Sequence, residues 1–204
     1  MKQTISLILL LAVLILGFGS IYIINEAEQA VVTQFGKPVG GAVTDAGIHF
    51  KIPIIQTVIK FDKRILEWDG SANEIPTLDN KYIFIDAFAR WRISDALQFY
   101  KAAKNEMLAQ SILDDILDGA VRDEIANRTM VEIVRSSKRE MAIKDVESSR
   151  VNINKKVIKD MSAKGARLAI IESILSSVSE KLIDLNMGIE ILDVQLKRIN
   201  YTRQ

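Results

Sequence analysis

Apolar and polar residues follow one another along this chain in three regimes, each predicting a different kind of element. The first regime is continuous. Thr4–Ile24, TISLILLLAVLILGFGSIYII, runs for 21 residues without a charge. A helix of that length covers roughly 31 Å, about one bilayer hydrocarbon core. The second regime has period two. Ala30–Phe35 is rich in β-branched residues and leaves through Gly36-Lys37-Pro38, a strand running into a turn. Val39–Asp45 holds Gly40-Gly41 and reads as a loop. In Ala46–Ile55, Ile48, Phe50, Ile52 and Ile54 fall on one side, with His49, Lys51 and Pro53 on the other. Thr57–Ile65 sets Ile59, Phe61 and Ile65 against Lys60, Asp62 and Arg64. Both stretches predict half-buried strands, with Pro53 marking an edge or a break. Leu78-Asp79-Asn80-Lys81 predicts a hairpin turn between Glu74–Thr77 and Tyr82–Ile93. The odd positions of the second flank, Ile83, Ile85, Ala87, Ala89, Trp91 and Ile93, form one apolar face.

After Ile93 the period becomes helical. Ser94-Asp95 caps a short helix through Lys101. Glu106–Ala126 carries Leu108, Ile112, Leu113, Ile116, Leu117, Ala120, Val121 and Ile125 at helical spacing. Thr129 and Glu132 stand at capping-box spacing before Val134. Ser136–Arg150 is polar and reads as a loop or a frayed helix, and Val151–Met187 as helix again. Within the latter, Ile171, Leu175, Val178, Leu182 and Leu185 step 4-3-4-3, a narrow seam that packs on the domain's own sheet or zips to a neighbouring chain. Gly188 stands where a helix C-cap belongs. Period two returns in Ile189–Ile199, with Leu192, Val194 and Leu196 opposed to Asp193, Gln195 and Lys197. Strands, helices and a closing strand predict an α+β domain with a mixed sheet.

Charge and composition narrow the function. The first apolar run exceeds the usual core of a signal peptide, and no Ala-x-Ala site follows it, so it reads as an uncleaved transmembrane helix. Its candidate anchor residues are Ile5, Leu9, Leu11, Leu14, Leu16, Phe18, Ile21 and Ile24. Residues 1–25 then form the anchor and 26–204 the domain, divisible into subdomains of about 26–93 and 94–204. Lys2 and the amino terminus precede the run and acids follow it, which favours a cytoplasmic N-terminus and an extracytoplasmic domain. Basic residues number 27 against 26 acidic, and Lys2 accounts for the difference. A neutral domain offers nucleic acid no clustered positive field.

Candidate chemistry is sparse. There is no cysteine and one histidine, His49, with no G-x-S-x-G pattern to place a nucleophile for it. Asp114, Asp115 and Asp118 lie on one helix and read as a solvated face, with Arg122 four residues after Asp118. No phosphate-binding glycine loop occurs. Spacing leaves a Ser-Lys pair open but points to none. The reading is a protein without catalytic residues, cofactor or metal. Ile48–Ile55 is open to two uses, a buried strand or a segment touching the lipid interface.

Several stretches together resemble a known family. Glu28-Gln29-Ala30-Val31-Val32-Thr33-Gln34-Phe35-Gly36-Lys37 and Ala46-Gly47-Ile48-His49-Phe50-Lys51-Ile52-Pro53 resemble the opening of the stomatin/prohibitin/flotillin/HflK-HflC (SPFH, band 7) domain. Arg90-Trp91-Arg92-Ile93-Ser94-Asp95, Ile133–Ser137 and Gly188–Ile199 are similar to its HflC branch. The resemblance marks Phe35, Gly36, Gly47, His49, Phe50 and Pro53 as candidate interfacial or family-motif residues. It implies a non-enzymatic scaffold of the bacterial inner membrane, with its domain in the periplasm. The implied partners are an HflK-like protein in large hetero-oligomers and an FtsH-like membrane protease. Alternatives are a stomatin-like organiser of lipid microdomains and a membrane-tethered hydrolase. Such relatives continue into a long charged coiled coil, whereas this sequence ends at Gln204 and reads as a form lacking it.

Overall fold

A computed structural model of the chain describes residues 17, 19–134 and 166–201. Among the described elements, eight strands come first: β1 (Ile21–Ile24), β2 (Glu28–Gln34), β3 (Lys37–Val43), β4 (Gly47–Phe50), β5 (Gln56–Asp62), β6 (Leu66–Asp69), β7 (Asn73–Pro76) and β8 (Tyr82–Ile93). Among the described residues the helices are α1 (Ala96–Ala102), α2 (Glu106–Ala126), α3 (Met130–Val134) and α4 (Ala166–Asp184). β9 (Ile189–Tyr201) closes the order. This is the expected α+β arrangement. The residues gather in two interleaved units. One takes the described residues up to Leu66 with Trp91–Gln110 and Leu182–Glu190. The other takes Glu67–Arg90 with the described parts of 111–181 and 191–204.

In the first unit, β2 is the central strand of the antiparallel sheet β3-β2-β5, and β1 pairs with β4 in a separate ribbon. Val39–Asp45 is therefore not a loop: its residues through Val43 belong to β3. Gly40-Gly41 marks a register irregularity opposite Val31–Thr33, where two extra residues are absorbed. Ile21 and Ile24 likewise belong to β1 and not to an anchor helix, and Ile24 is 1% exposed. Three isoleucines and a tyrosine suit a pleated strand, and pairing with β4 gives their backbone its partners. Ile5, Leu9, Leu11, Leu14, Leu16 and Phe18 lie outside the described residues. No helix among those described is long and apolar enough to cross a membrane. The core of this unit holds Ala30, Val31, Phe61, Trp91, Ile93 and Phe99. Buried Gln29 donates from Nε2 to the Ile93 carbonyl at 3.0 Å. Asp95 caps α1 as expected, accepting from the Leu97 and Gln98 amides.

In the second unit, β8 pairs with β6, β7 and β9, and the odd residues of β8 from Ile83 to Ala89 are buried, as their alternation predicts. In α4 the buried row is Ile170, Ile174 and Val178, continued by Leu182 in the first unit. Ile171 and Leu175 are only half-buried beside it, and exposed Leu185 lies beyond the helix end. The expected 4-3-4-3 seam is thus displaced. Steps of four follow a ridge inclined to the helix axis, whereas a heptad seam runs parallel to it.

The α4 terminus also differs from expectation. Asn186 (φ 49) occupies the left-handed position, with its amide bonded to the Ile183 carbonyl and the Met187 amide to that of Leu182, a Schellman cap. Gly188 serves another purpose: its carbonyl accepts the Ser94 and Asp95 amides at 2.9 and 3.1 Å. In β9 the buried parity changes from Ile189 and Ile191 to Val194 and Leu196, so Leu192 is not on the core face.

The β7–β8 turn forms at its predicted place and is pinned by Asp79. Thr77 Oγ1 donates to it at 2.7 Å, Lys81 Nζ lies 3.0 Å away, and the Met130 amide donates at 3.1 Å. Burial pushes the Asp79 carboxyl up, but those donors outweigh it and hold its pKa at about 2. The folded value lies below the unfolded one of about 3.9, so the contribution is complete above that pH and is lost as pH falls through about 2. With its side chain 29% exposed, we expect Asp79→Asn to cost roughly 1–2 kcal/mol near neutrality and almost nothing below about pH 2. Urea titrations across that range check the convergence.

Candidate membrane-facing site

The apolar row Ile48, Phe50, Ile52 and Ile54 does not enter a core. Ile48 is 65%, Phe50 75% and Ile54 94% exposed, and Ile52 is also exposed. The strand expected over Ala46–Ile55 stops at Phe50, and Pro53 begins a turn. Pairing of β1 with β4 sets Ile21 opposite Phe50 and Ile23 opposite Ile48, so one ribbon face presents four exposed apolar side chains. The opposite face stacks Tyr22 on His49, ring centres 5.6 Å apart, and His49 Nε2 donates to the Asp45 carbonyl at 2.8 Å. His49 thus has a structural occupation.

Register brings a second tip to the same end. Gln34 in β2 pairs with Gln56 in β5, so Phe35 and Ile55 each sit one residue beyond the same end of the sheet. Phe35 (φ 50) and Gly36 (φ 78) form the two-residue turn into β3, both in the left-handed region of a primed hairpin turn. The first position commonly takes asparagine or glycine, yet here it holds a phenylalanine 83% exposed. Tyr100 Oη donates to the Gly36 carbonyl at 3.2 Å and braces the turn. Ile54 (φ 70) is also left-handed, a costly conformation for a β-branched residue. It is imposed by the Gln56 amide bonding the Ile52 carbonyl at 3.0 Å, while Gln56 Oε1 accepts the Ile52 amide at 2.7 Å.

The chain reaches this end directly from the Thr4–Ser20 stretch. The Lys51 amide donates to the Ser20 carbonyl at 2.7 Å, and a Cβ on Gly19 would lie 3.3 Å from Pro53 Cβ. Gly47 sits at the far end of the ribbon, opposite buried Ile24. Of the six family-motif residues, Phe35 and Gly36 therefore sit at the β2–β5 end beside Ile55, while Phe50 and Pro53 lie at the end of the ribbon and in the segment that leads from it to β5. His49 and Gly47 support the ribbon. The assembly-seam residues Ile171, Leu175 and Val178 fall in the other unit.

Elsewhere, Asp114 is not simply a solvated acid: it accepts from Trp68 Nε1 at 2.5 Å. Burial, then neighbouring Asp114, raises the Asp118 carboxyl pKa against the pull of Arg122. Among the described residues no group of three or more acidic or histidine side chains is arranged to hold a metal ion.

Residues 22–204 match the profile of the SPFH domain / Band 7 family. The chain belongs to the SPFH/band 7 family. It is 34% identical over 191 residues to protein HflC of Borreliella burgdorferi, covering 90% of this chain and 56% of that protein. It is 31% identical over 186 residues to protein HflC of Treponema pallidum, covering 89% and 56% respectively. The Escherichia coli protein named "Modulator of FtsH protease HflC" is 28% identical over 214 residues, 98% of this chain and 64% of that one. The chain thus spans about three-fifths of the length of these curated relatives. In this SPFH/band 7 domain the motif residues supplied Phe35, Phe50 and Pro53 of the apolar end. Ile55 belonged to the segment read as a buried strand or a lipid contact, Ile21 was expected in the anchor helix, and Ile23 was not singled out. The signal for Ile21 and Ile23 was the β-branched Ile21–Ile24, hidden because it continues a longer apolar run.

Proposed function

We propose that the chain is a non-enzymatic membrane scaffold subunit of the HflC kind. It assembles in homo- or hetero-oligomers, with an HflK-like partner, and modulates an FtsH-like membrane protease. The observation that carries this reading is the exposed apolar end formed by Ile21, Ile23, Ile48, Phe50, Ile52 and Ile54, next to the chain's exit from Thr4–Ser20. That run of 17 residues stands at the short limit of spanning helices, roughly 17–25 residues. An apolar end seated in the lipid interface completes the match. Each domain is then held at a fixed angle and height on the bilayer, and neighbouring domains form a fence that controls access of protein substrates to the protease. The charges flanking the run support an N-terminus in the cytoplasm and a domain in the periplasm. The family and the printed name of the E. coli relative support the protease as target.

Co-purification in mild detergent tests the reading. We expect the chain to bring down HflK-like and FtsH-like partners, and spin labels at positions 50 and 54 to report lipid. A monodisperse, partner-free protein with both labels in water overturns it. The strained tip adds a signature. Ile54→Asn fits the left-handed backbone and should stabilise the detergent-solubilised domain by about 1 kcal/mol while weakening lipid contact. Such opposition marks a side chain kept for what it touches. The same end also suits an organiser of lipid microdomains; the lipid composition of the membrane patch retained with the protein separates the two.

A further inference from the structure

We infer that the apolar end selects a membrane surface rich in anionic phospholipid, with Lys37 and Lys51 as the selecting groups. This rests on the lipid-facing reading above and names the lipid class. Lys37 follows the Phe35-Gly36 turn and pairs with Gln34, so it stands at the end where Phe35 and Ile55 project. Lys51 lies between exposed Phe50 and Ile52, and its amide is tied to Ser20. Lys37 is exposed beside the turn and Lys51, half-buried, stands between two exposed tip residues, so the flexible stem of each can reach the rim of the apolar cluster.

Acids are absent from the same end. The sequence has none from Gln29 to Thr44 and none from Ala46 to Phe61. Glu28 and Asp62, which bound these stretches, pair with each other at the opposite end of the β2–β5 ladder. There they are neutralised locally, Glu28 by Lys60 at 2.8 Å and Asp62 by Arg64 at 2.7 Å. Asp45 and Glu26 lie in the loops before β4 and after β1, also away from the tips. Among the described residues neither Lys37 nor Lys51 has an acidic partner. The unit thus separates an apolar, cationic end from an internally paired one.

The chemistry that fits such an end is a bilayer with negative headgroups. Apolar tips enter the interface, while flexible lysine stems lie along them and hold their ammonium groups at headgroup level. Each lysine near an anionic surface strengthens attachment about fivefold, and the attraction fades beyond a Debye length. Two together amount to about 25-fold, on a tip whose apolar contribution is indifferent to headgroup charge.

The full chain, which has no cysteine, can carry one polarity-sensitive fluorophore through Ile52→Cys. It would be reconstituted in vesicles of phosphatidylcholine alone and of phosphatidylcholine mixed with phosphatidylglycerol. We expect the engaged-to-free ratio to be about 25-fold higher in the anionic vesicles at low salt. High salt or Lys37→Gln with Lys51→Gln should largely remove the difference, and the control Lys181→Gln should keep it. Equal engagement in both vesicles, or a preference that survives the double substitution, overturns this inference and leaves the lipid-facing reading standing. A fluorophore in water in both vesicles overturns the lipid-facing reading itself. Circular dichroism of each variant distinguishes these outcomes from a failure to fold.

Discussion

Gly188→Ala should destabilise the first unit by about 4 kcal/mol, a large share of the 5–15 kcal/mol that usually separates a folded domain from its unfolded chain. Gly188 has φ 66, where an L residue costs about 1–2 kcal/mol. A Cβ there would sit 2.3 Å from the Asp95 carbonyl oxygen and 2.8 Å from the Phe99 nitrogen, both backbone atoms that cannot swing aside. Withdrawal of the segment would break the bonds from the Ser94 and Asp95 amides to the Gly188 carbonyl, each worth about 1 kcal/mol. It would also loosen the cap of α1. Urea titration of the detergent-solubilised protein measures the loss, and hydrogen exchange at Ser94 and Asp95 localises it. Gly41→Ala is the control, since nothing lies within 4 Å of a Cβ there and its φ is ordinary. A Gly188→Ala change within about 1 kcal/mol of wild type would refute the close-approach account.

Phe99→Ala should cost about 3–5 kcal/mol. Phe99 is fully buried on α1, meets Phe61 edge to face with centroids 5.1 Å apart, and stacks near Trp91 at 6.5 Å. Truncation leaves a cavity and removes two aromatic pairs worth about 0.5–1.5 kcal/mol each. Phe99→Leu keeps most of the volume and should cost roughly half as much. The order wild type, Leu, Ala in urea midpoint is the expected result. Near equality of Leu and Ala would show that the aromatic pairs, not filled volume, dominate.

The elements that were legible are those whose cause is local. Tyr82–Ile93 alternates for 12 residues and buries the side its alternation names. Asp95 caps α1 because a carboxylate at that position can reach the next two amides without help from the rest of the chain. The Thr129 amide donates to Glu132 at 3.0 Å for the same local reason. Glu106–Ala126 has helical spacing from end to end and forms one helix.

The misreadings share a different cause. Gly40-Gly41 suggested a loop because glycine breaks strands, but β2 supplied a partner and the glycines became an irregularity within β3. Gly188 followed a helix and suggested a cap, yet Asn186 took that place while Gly188 met Asp95, 93 positions earlier. Asp114 is exposed, as the solvated-face reading expects, but that reading did not show the Trp68 indole donating to it. In each case the deciding partner belongs to another element: the adjacent strand β2 for Gly40-Gly41, and the sequence-remote Asp95 and Trp68 for Gly188 and Asp114.

By itself, the sequence determined the α+β order, the hairpin of β7 and β8, the capped helices and membership of the SPFH/band 7 family. Periodicity and capping act within a few residues, and family motifs are read directly. Only the tertiary structure decided where the faces point. The alternation in Ile48–Ile54 identifies a common side but not what covers it. The register of β1 with β4 set Ile48 and Phe50 on an exposed face with Ile21 and Ile23, and that of β2 with β5 set Phe35 beside Ile55. Hydrophobic burial is non-directional, so an apolar row commits the chain to a face. Strand pairing between distant segments decides whether that face meets its own core or the surroundings.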